Sequence, residues 1–165
     1  MIDFTVKIYE ELLMALQSQG FSFLTFHEMM QDSHPCMAKK CVILRHDVDL
    51  LPGHSLRFAR IQSGMGIRGT YYFRAVPESW DESIIREIAG MGHEIGYHYE
   101  NLTTCNGDLA KAWSDFQFHL DALRKLAPVS TICMHGSPQS PYDSKDLWKT
   151  YNYRDLGILA EPYFD

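Results

Sequence analysis

The sequence predicts an α/β fold, a parallel (β/α) barrel in distorted or incomplete form. Two observations carry this expectation. From residue 41 onward, short runs rich in β-branched and aromatic residues alternate with amphipathic helical stretches, the order expected of parallel βα units. The residues able to do chemistry fall at the C-terminal ends of those runs, where parallel β/α folds gather their sites.

Apolar residues Ile8, Leu12, Leu13 and Leu16 recur at helical spacing over residues 5–19, and Gly20 closes that helix. Residues 21–26 alternate apolar and polar side chains, and a short helix is expected around Glu28-Met29-Met30. Residues 31–40 read as a polar loop. Residues 1–40 thus form an N-terminal, largely helical extension.

Residues 41–49 (Cys-Val-Ile-Leu-Arg-His-Asp-Val-Asp) read as the first strand of the alternating series. A helix follows over 54–65, stopped by Gly64 and Gly66, then a strand over 70–76. A helix over 81–89 ends at Gly90 and Gly92. A strand over 93–99 comes next. The longest amphipathic helix carries Leu109, Ala112, Trp113, Phe116, Leu120 and Leu123, and ends before Pro128. A strand over 130–134, a helix over 143–151 and a fifth strand over 156–160 complete the series. The chain stops at Asp165 with no helix to cover that last strand, which reads as a fragment of a longer chain. Repeats, low-complexity tracts and linkers are absent, so residues 1–165 are expected to form one domain.

At 165 residues, with 45% hydrophobic and 22% charged residues, the chain can bury a core. A net charge of −6 argues against nucleic acid as a partner. No apolar run reaches membrane-spanning length and no signal peptide is visible, so a cytoplasmic protein without a membrane partner is expected. The four cysteines (Cys36, Cys41, Cys105, Cys133) show no C-x-x-C pair and read as reduced thiols. Cys105 and Cys133 read as small buried hydrophobes. Oligomeric state is not legible.

Arg45-His46-Asp47-Val48-Asp49 is the most informative stretch. Alternation along a strand puts Asp47 and Asp49 on one face at its end. Two neighbouring carboxylates repel unless a cation or a shared proton relieves them. The blander reading is that they cap the following helix. The other strand ends add Arg74, then Glu94, His98 and Glu100 on one face, then Cys133 and His135, then Glu161. Carboxylates and imidazoles gathered on one rim suit a divalent first-row metal, with zinc first. A metal-activated water beside a carboxylate base is a hydrolase's equipment. His46 and His93 face away from this set and are expected to pack or support. His27, His34, His54 and His119 are expected at the surface. Glu100 could be a solvated carboxylate, and Arg74 could pair with Asp47 or Glu100.

Ile43-Leu44-Arg45-His46-Asp47-Val48-Asp49 resembles the first motif of the polysaccharide deacetylase superfamily (carbohydrate esterase family four). Gly92-His93-Glu94-Ile95-Gly96-Tyr97-His98 is similar to its second motif, and Thr70-Tyr71-Tyr72-Phe73 to its aromatic strand. The resemblance implies a polysaccharide deacetylase-like barrel and a metal-dependent hydrolase acting on C–N bonds, removing an acetyl group from an N-acetylated (or O-acetylated) carbohydrate. It assigns Asp47 as catalytic base and Asp49 and His98 as metal ligands. The family's second metal-binding histidine falls at Leu102, which cannot coordinate, and Met134-His135-Gly136-Ser137-Pro138 stands where an arginine–proline motif is usual. His135 is therefore expected either as third ligand or as the acid that protonates the leaving group, with Glu100 an alternative ligand. Arg74 and Glu100 are expected to meet substrate. The rival expectations are a cyclic-amide hydrolase of the same superfamily and a catalytically silent carbohydrate-binding or scaffold domain.

Overall fold

The computed structural model describes residues 5–31, 40–137 and 139–165. The expected loop over 31–40, with His34 and Cys36, lies almost wholly outside them, as does Pro138. Strand alternation from residue 41 yields a mixed α/β structure with parallel sheets, one a curled half-barrel. Among the described residues, a full (β/α)8 barrel is not shown.

The N-terminal segment contributes α1 (Val6–Ser18), β1 (Ser22–Leu24) and α2 (Phe26–Met29). Thr25-Phe26-His27-Glu28 forms a capping box, each end supplying the hydrogen bond the other's backbone lacks. The expected strand 41–49 divides at Leu44. Its first half, β2 (Cys41–Ile43), pairs in parallel with β1, and its second, β3 (Arg45–Val48), pairs with β4 (Thr70–Phe73). From β4 the sheet continues through β5 (Glu94–Tyr99) to β6 (Ile132–Met134), all parallel.

The connecting helices are α3 (Pro52–Gly64), α4 (Glu82–Gly90), the four-residue α5 (Asn101–Thr104) and α6 (Leu109–Arg124). Asp81 and Asp108 cap α4 and α6 through backbone amides at 3.0 Å. Gly92, at φ +87°, takes the left-handed turn that leads from α4 into β5.

Three further expectations change. The fifth strand over 156–160 reduces to a single parallel bridge between Thr131 and Ala160, because a 3₁₀ turn (Tyr153–Leu156) and left-handed Gly157 occupy its first half. The helix over 143–151 is a 3₁₀ turn, Ser144–Lys149. Cys41 is disulfide-bonded, so it is not the reduced thiol expected; Cys105 and Cys133 are free.

Period-two alternation sorts the sheet into two faces. Val48, Tyr71, Phe73, Ile95, Tyr97, Tyr99 and Ile132 join Phe116 and Leu120 of α6 in the main core. Residues of the opposite parity face the concave side, which is polar. At its N-terminal end, Glu94 accepts hydrogen bonds from Thr70 (2.7 Å), the His27 amide (2.9 Å) and Thr131, tying three strands and α2 together. Above this, the Tyr72 ring lies where a Cβ on residue 96 would be, so Gly96 makes room for it. Asp47, Asp49, His98, Cys133 and His135 stand at the C-terminal end.

Candidate metal centre

The residue after β3 decides the site. The segment beyond Asp49 enters α3 through Leu51, at φ 54°, and Pro52 in the first turn. No side chain caps α3, so the capping alternative for the Asp pair fails and Asp49 is left to the site. Asp49 Oδ1 lies 3.0 Å from His135 Nδ1 and 3.4 Å from His98 Nε2. His135 Nδ1 and His98 Nε2 are 3.2 Å apart. The Asp49 oxygen is buried and makes no hydrogen bond despite this proximity.

The tautomer of His98 follows from its partner. Its Nδ1 donates to the Cys133 carbonyl oxygen at 2.9 Å, so Nε2 carries a lone pair. Burial lowers the His98 pKa against the opposing pull of the Asp47 carboxylate, and the lowering favours the neutral ring, the form that binds a cation.

Three donor atoms thus face one another at 3.0–3.4 Å. Ligands at about 2.0–2.2 Å from a tetrahedral ion stand about 3.3–3.6 Å apart, so little movement is needed to hold one. A buried carboxylate oxygen without a proton donor is costly on its own, and a cation relieves it. The residues present therefore fit a divalent metal, the protein supplying Asp49, His98 and His135. The donor set does not distinguish zinc from its neighbours.

Helix α5 turns Leu102 away from the site into a small cluster with Ala112 and Leu147. His135, positioned when its amide donates to the Tyr99 carbonyl at 2.8 Å, takes the third place instead.

Asp47 lies beside this triad with one side-chain oxygen held 3.0 Å from Arg45 Nη2. Asp47, His98 and Cys133 form a second group whose donor atoms lie within 4.8 Å of one another. Burial and the Asp47 charge push the Cys133 thiol up to about 12.

Arg74 and Glu100 are brought together. Arg74 Nε donates to Glu100 Oε1 at 2.6 Å, and Nη1 donates to the Asp49 carbonyl oxygen at 3.0 Å. Both side chains are largely buried, so Glu100 is not the solvated loop carboxylate considered above. Ser79 completes the brace: the Arg74 amide donates to its hydroxyl, which donates to the Val48 carbonyl. Sequence patterning had no signal for Ser79, which lies in the β4–α4 connection.

Glu161, at the expected end of a fifth strand, does not join the donors. It is fully buried, and its carboxylate accepts the amides of Met134 (3.0 Å) and Tyr163 (2.7 Å). This clamp holds the last turn against β6. A cavity of about 490 Å³ opens beside His135, lined by Gly136, Ser137, Tyr142 and Asp143 among others.

Among the described residues, no helix is long and apolar enough to cross a membrane. No protein-family model matches the chain, and no curated protein matches it.

Proposed function

We propose that this chain is a metal-dependent hydrolase that removes an acetyl group from an N- or O-acetylated carbohydrate, as a divergent relative of the polysaccharide deacetylases. The observation that carries the reading is the convergence of Asp49 Oδ1, His98 Nε2 and His135 Nδ1 at 3.0–3.4 Å, the Asp49 oxygen having no hydrogen bond. The motif order around Asp47, Asp49 and His98 supplies the substrate class.

A divalent ion held by Asp49, His98 and His135 would polarise the acetyl carbonyl and acidify the attacking water. Asp47, fixed by Arg45, takes the proton from that water as it adds to the carbonyl carbon. His135 would hold the ion through Nδ1 and so would not be free to act as the acid. Asp47 therefore returns its proton to the leaving nitrogen as the C–N bond breaks, releasing acetate and the free amine. Arg74, paired with Glu100, steadies the Asp49 backbone. The cavity beside His135 gives the sugar room.

The test is acetate release from a panel of acetylated amino sugars by the zinc-loaded chain and by Asp49→Asn. Release by the wild type alone supports the reading. Cleavage of cyclic amides instead moves the substrate class, and no cleavage of either favours a silent binding domain.

A further inference from the structure

Besides the triad described above, a thiol and a carboxylate also lie close to His98. His98 and Cys133 are register partners on adjacent parallel strands, β5 and β6, so their side chains lie side by side on the concave face. Asp47 approaches from β3, and one donor atom from each residue lies within 4.8 Å of the others. Cys133 is fully buried and His98 nearly so. The Cys133 carbonyl already fixes the His98 ring, so the two residues move as a unit.

We propose that Asp47, His98 and Cys133 form a second ligand set, overlapping the first at His98, that captures a soft thiophilic divalent ion such as cadmium. The two sets differ in chemistry. The first is nitrogen and oxygen only, with its atoms already at the spacing a small ion needs. The second includes sulfur, its donor atoms lying within 4.8 Å of one another. Thiolate is the ligand a soft ion prefers. On binding, the Cys133 S–H bond breaks, sulfur donates its electron pair to the ion, and the proton leaves to solvent.

Since both sets need His98, one ion excludes the other. If the hydrolase reading holds, and only this consequence rests on it, the soft ion also removes Asp47 from its work as base. The captured form is then inactive, and excess zinc restores it.

The test is a cadmium titration of the full chain, followed by the ultraviolet sulfur-to-metal charge-transfer absorption, alongside a zinc titration. Wild type should develop the band and saturate at one equivalent. Cys133→Ser should lose the band and keep wild-type zinc affinity, and Asp49→Asn should lose zinc binding and keep the band. That last pair separates the two ideas: failure of zinc binding in wild type sinks the first ligand set and leaves the second standing. Absence of the band in wild type overturns the proposal. So does its persistence in Cys133→Ser, which would place the thiolate at Cys105 or elsewhere. If Cys133→Ser does not fold, cadmium NMR of the wild type decides, a resonance shifted downfield by one sulfur ligand supporting the proposal and an all-nitrogen-and-oxygen position overturning it.

Discussion

His135 Nδ1 lies 3.0 Å from Asp49 Oδ1, yet the two atoms make no hydrogen bond. The pair joins the end of β3 to the end of β6, opposite ends of the four-stranded sheet. Curling of the sheet brings them within reach, and that closeness is what turns a row of strand-end residues into a pocket for a cation.

His135 should therefore matter as much as Asp49. His135→Ala is expected to lower zinc affinity by more than the ~10–100-fold typical of losing a supporting residue around a metal. Leu102→His, which adds a histidine on α5, should not raise affinity. It should destabilise the fold, because that side chain faces Ala112 and Leu147. Calorimetric zinc titration and thermal melts of both variants check this, and tighter binding by Leu102→His would show that the site is built differently.

Arg74 and Glu100 form a largely buried ion pair beneath Asp49. Arg74→Met leaves Glu100 buried without its partner and should cost about 3–5 kcal/mol of stability. The double variant Arg74→Met with Glu100→Leu should recover much of that loss in urea unfolding. It should not recover metal affinity, since the Asp49 carbonyl still lacks its donor.

Asp47→Asn should keep the metal and the fold while lowering kcat by roughly 10²–10⁴, the usual worth of one positioned proton-transfer group. Metal content measured beside turnover makes the distinction. Loss of metal in this variant would make Asp47 a ligand of the catalytic ion.

Acid should weaken the fold through His46. Burial, and then the nearby His93, lowers its pKa from 6.5 to about 4. Above pH 6.5 the ring is neutral in both states and contributes no pH dependence. As pH falls below 6.5 the unfolded chain takes up a proton that folded His46 refuses, so stability drops until about pH 4 and then levels. The full loss is of the order of 3 kcal/mol. Urea unfolding across this window should show it, with a shallower slope in His46→Asn.

The alternation of strands and helices, and the facing of Asp47 with Asp49, were legible because both follow from side-chain periodicity. The break at Leu44 was not. Residues 41–49 form an unbroken apolar-to-polar run, and only the change of partner, from β1 on one side to β4 on the other, divides it. The role of Leu102 depended on α5, a single turn too short to leave a pattern. The apolar residues of 156–160 suggested a strand, but left-handed Gly157 and the Tyr153–Leu156 turn leave only the Ala160 bridge. His135 stayed divided between ligand and acid because strand position says which rim a side chain joins and not which atom it presents there. Arg74 and Glu100 fell on that rim as expected, but no one-dimensional pattern reveals that they meet each other.

The most direct test of the central claim is elemental analysis of purified wild type and Asp49→Asn, paired with zinc titrations near neutral pH and at pH 5. One equivalent of divalent metal in the wild type, lost in Asp49→Asn and weakened at pH 5 as protons compete for the imidazoles, is the predicted result. Equal metal content in the two proteins, or none in either after zinc loading, would contradict it.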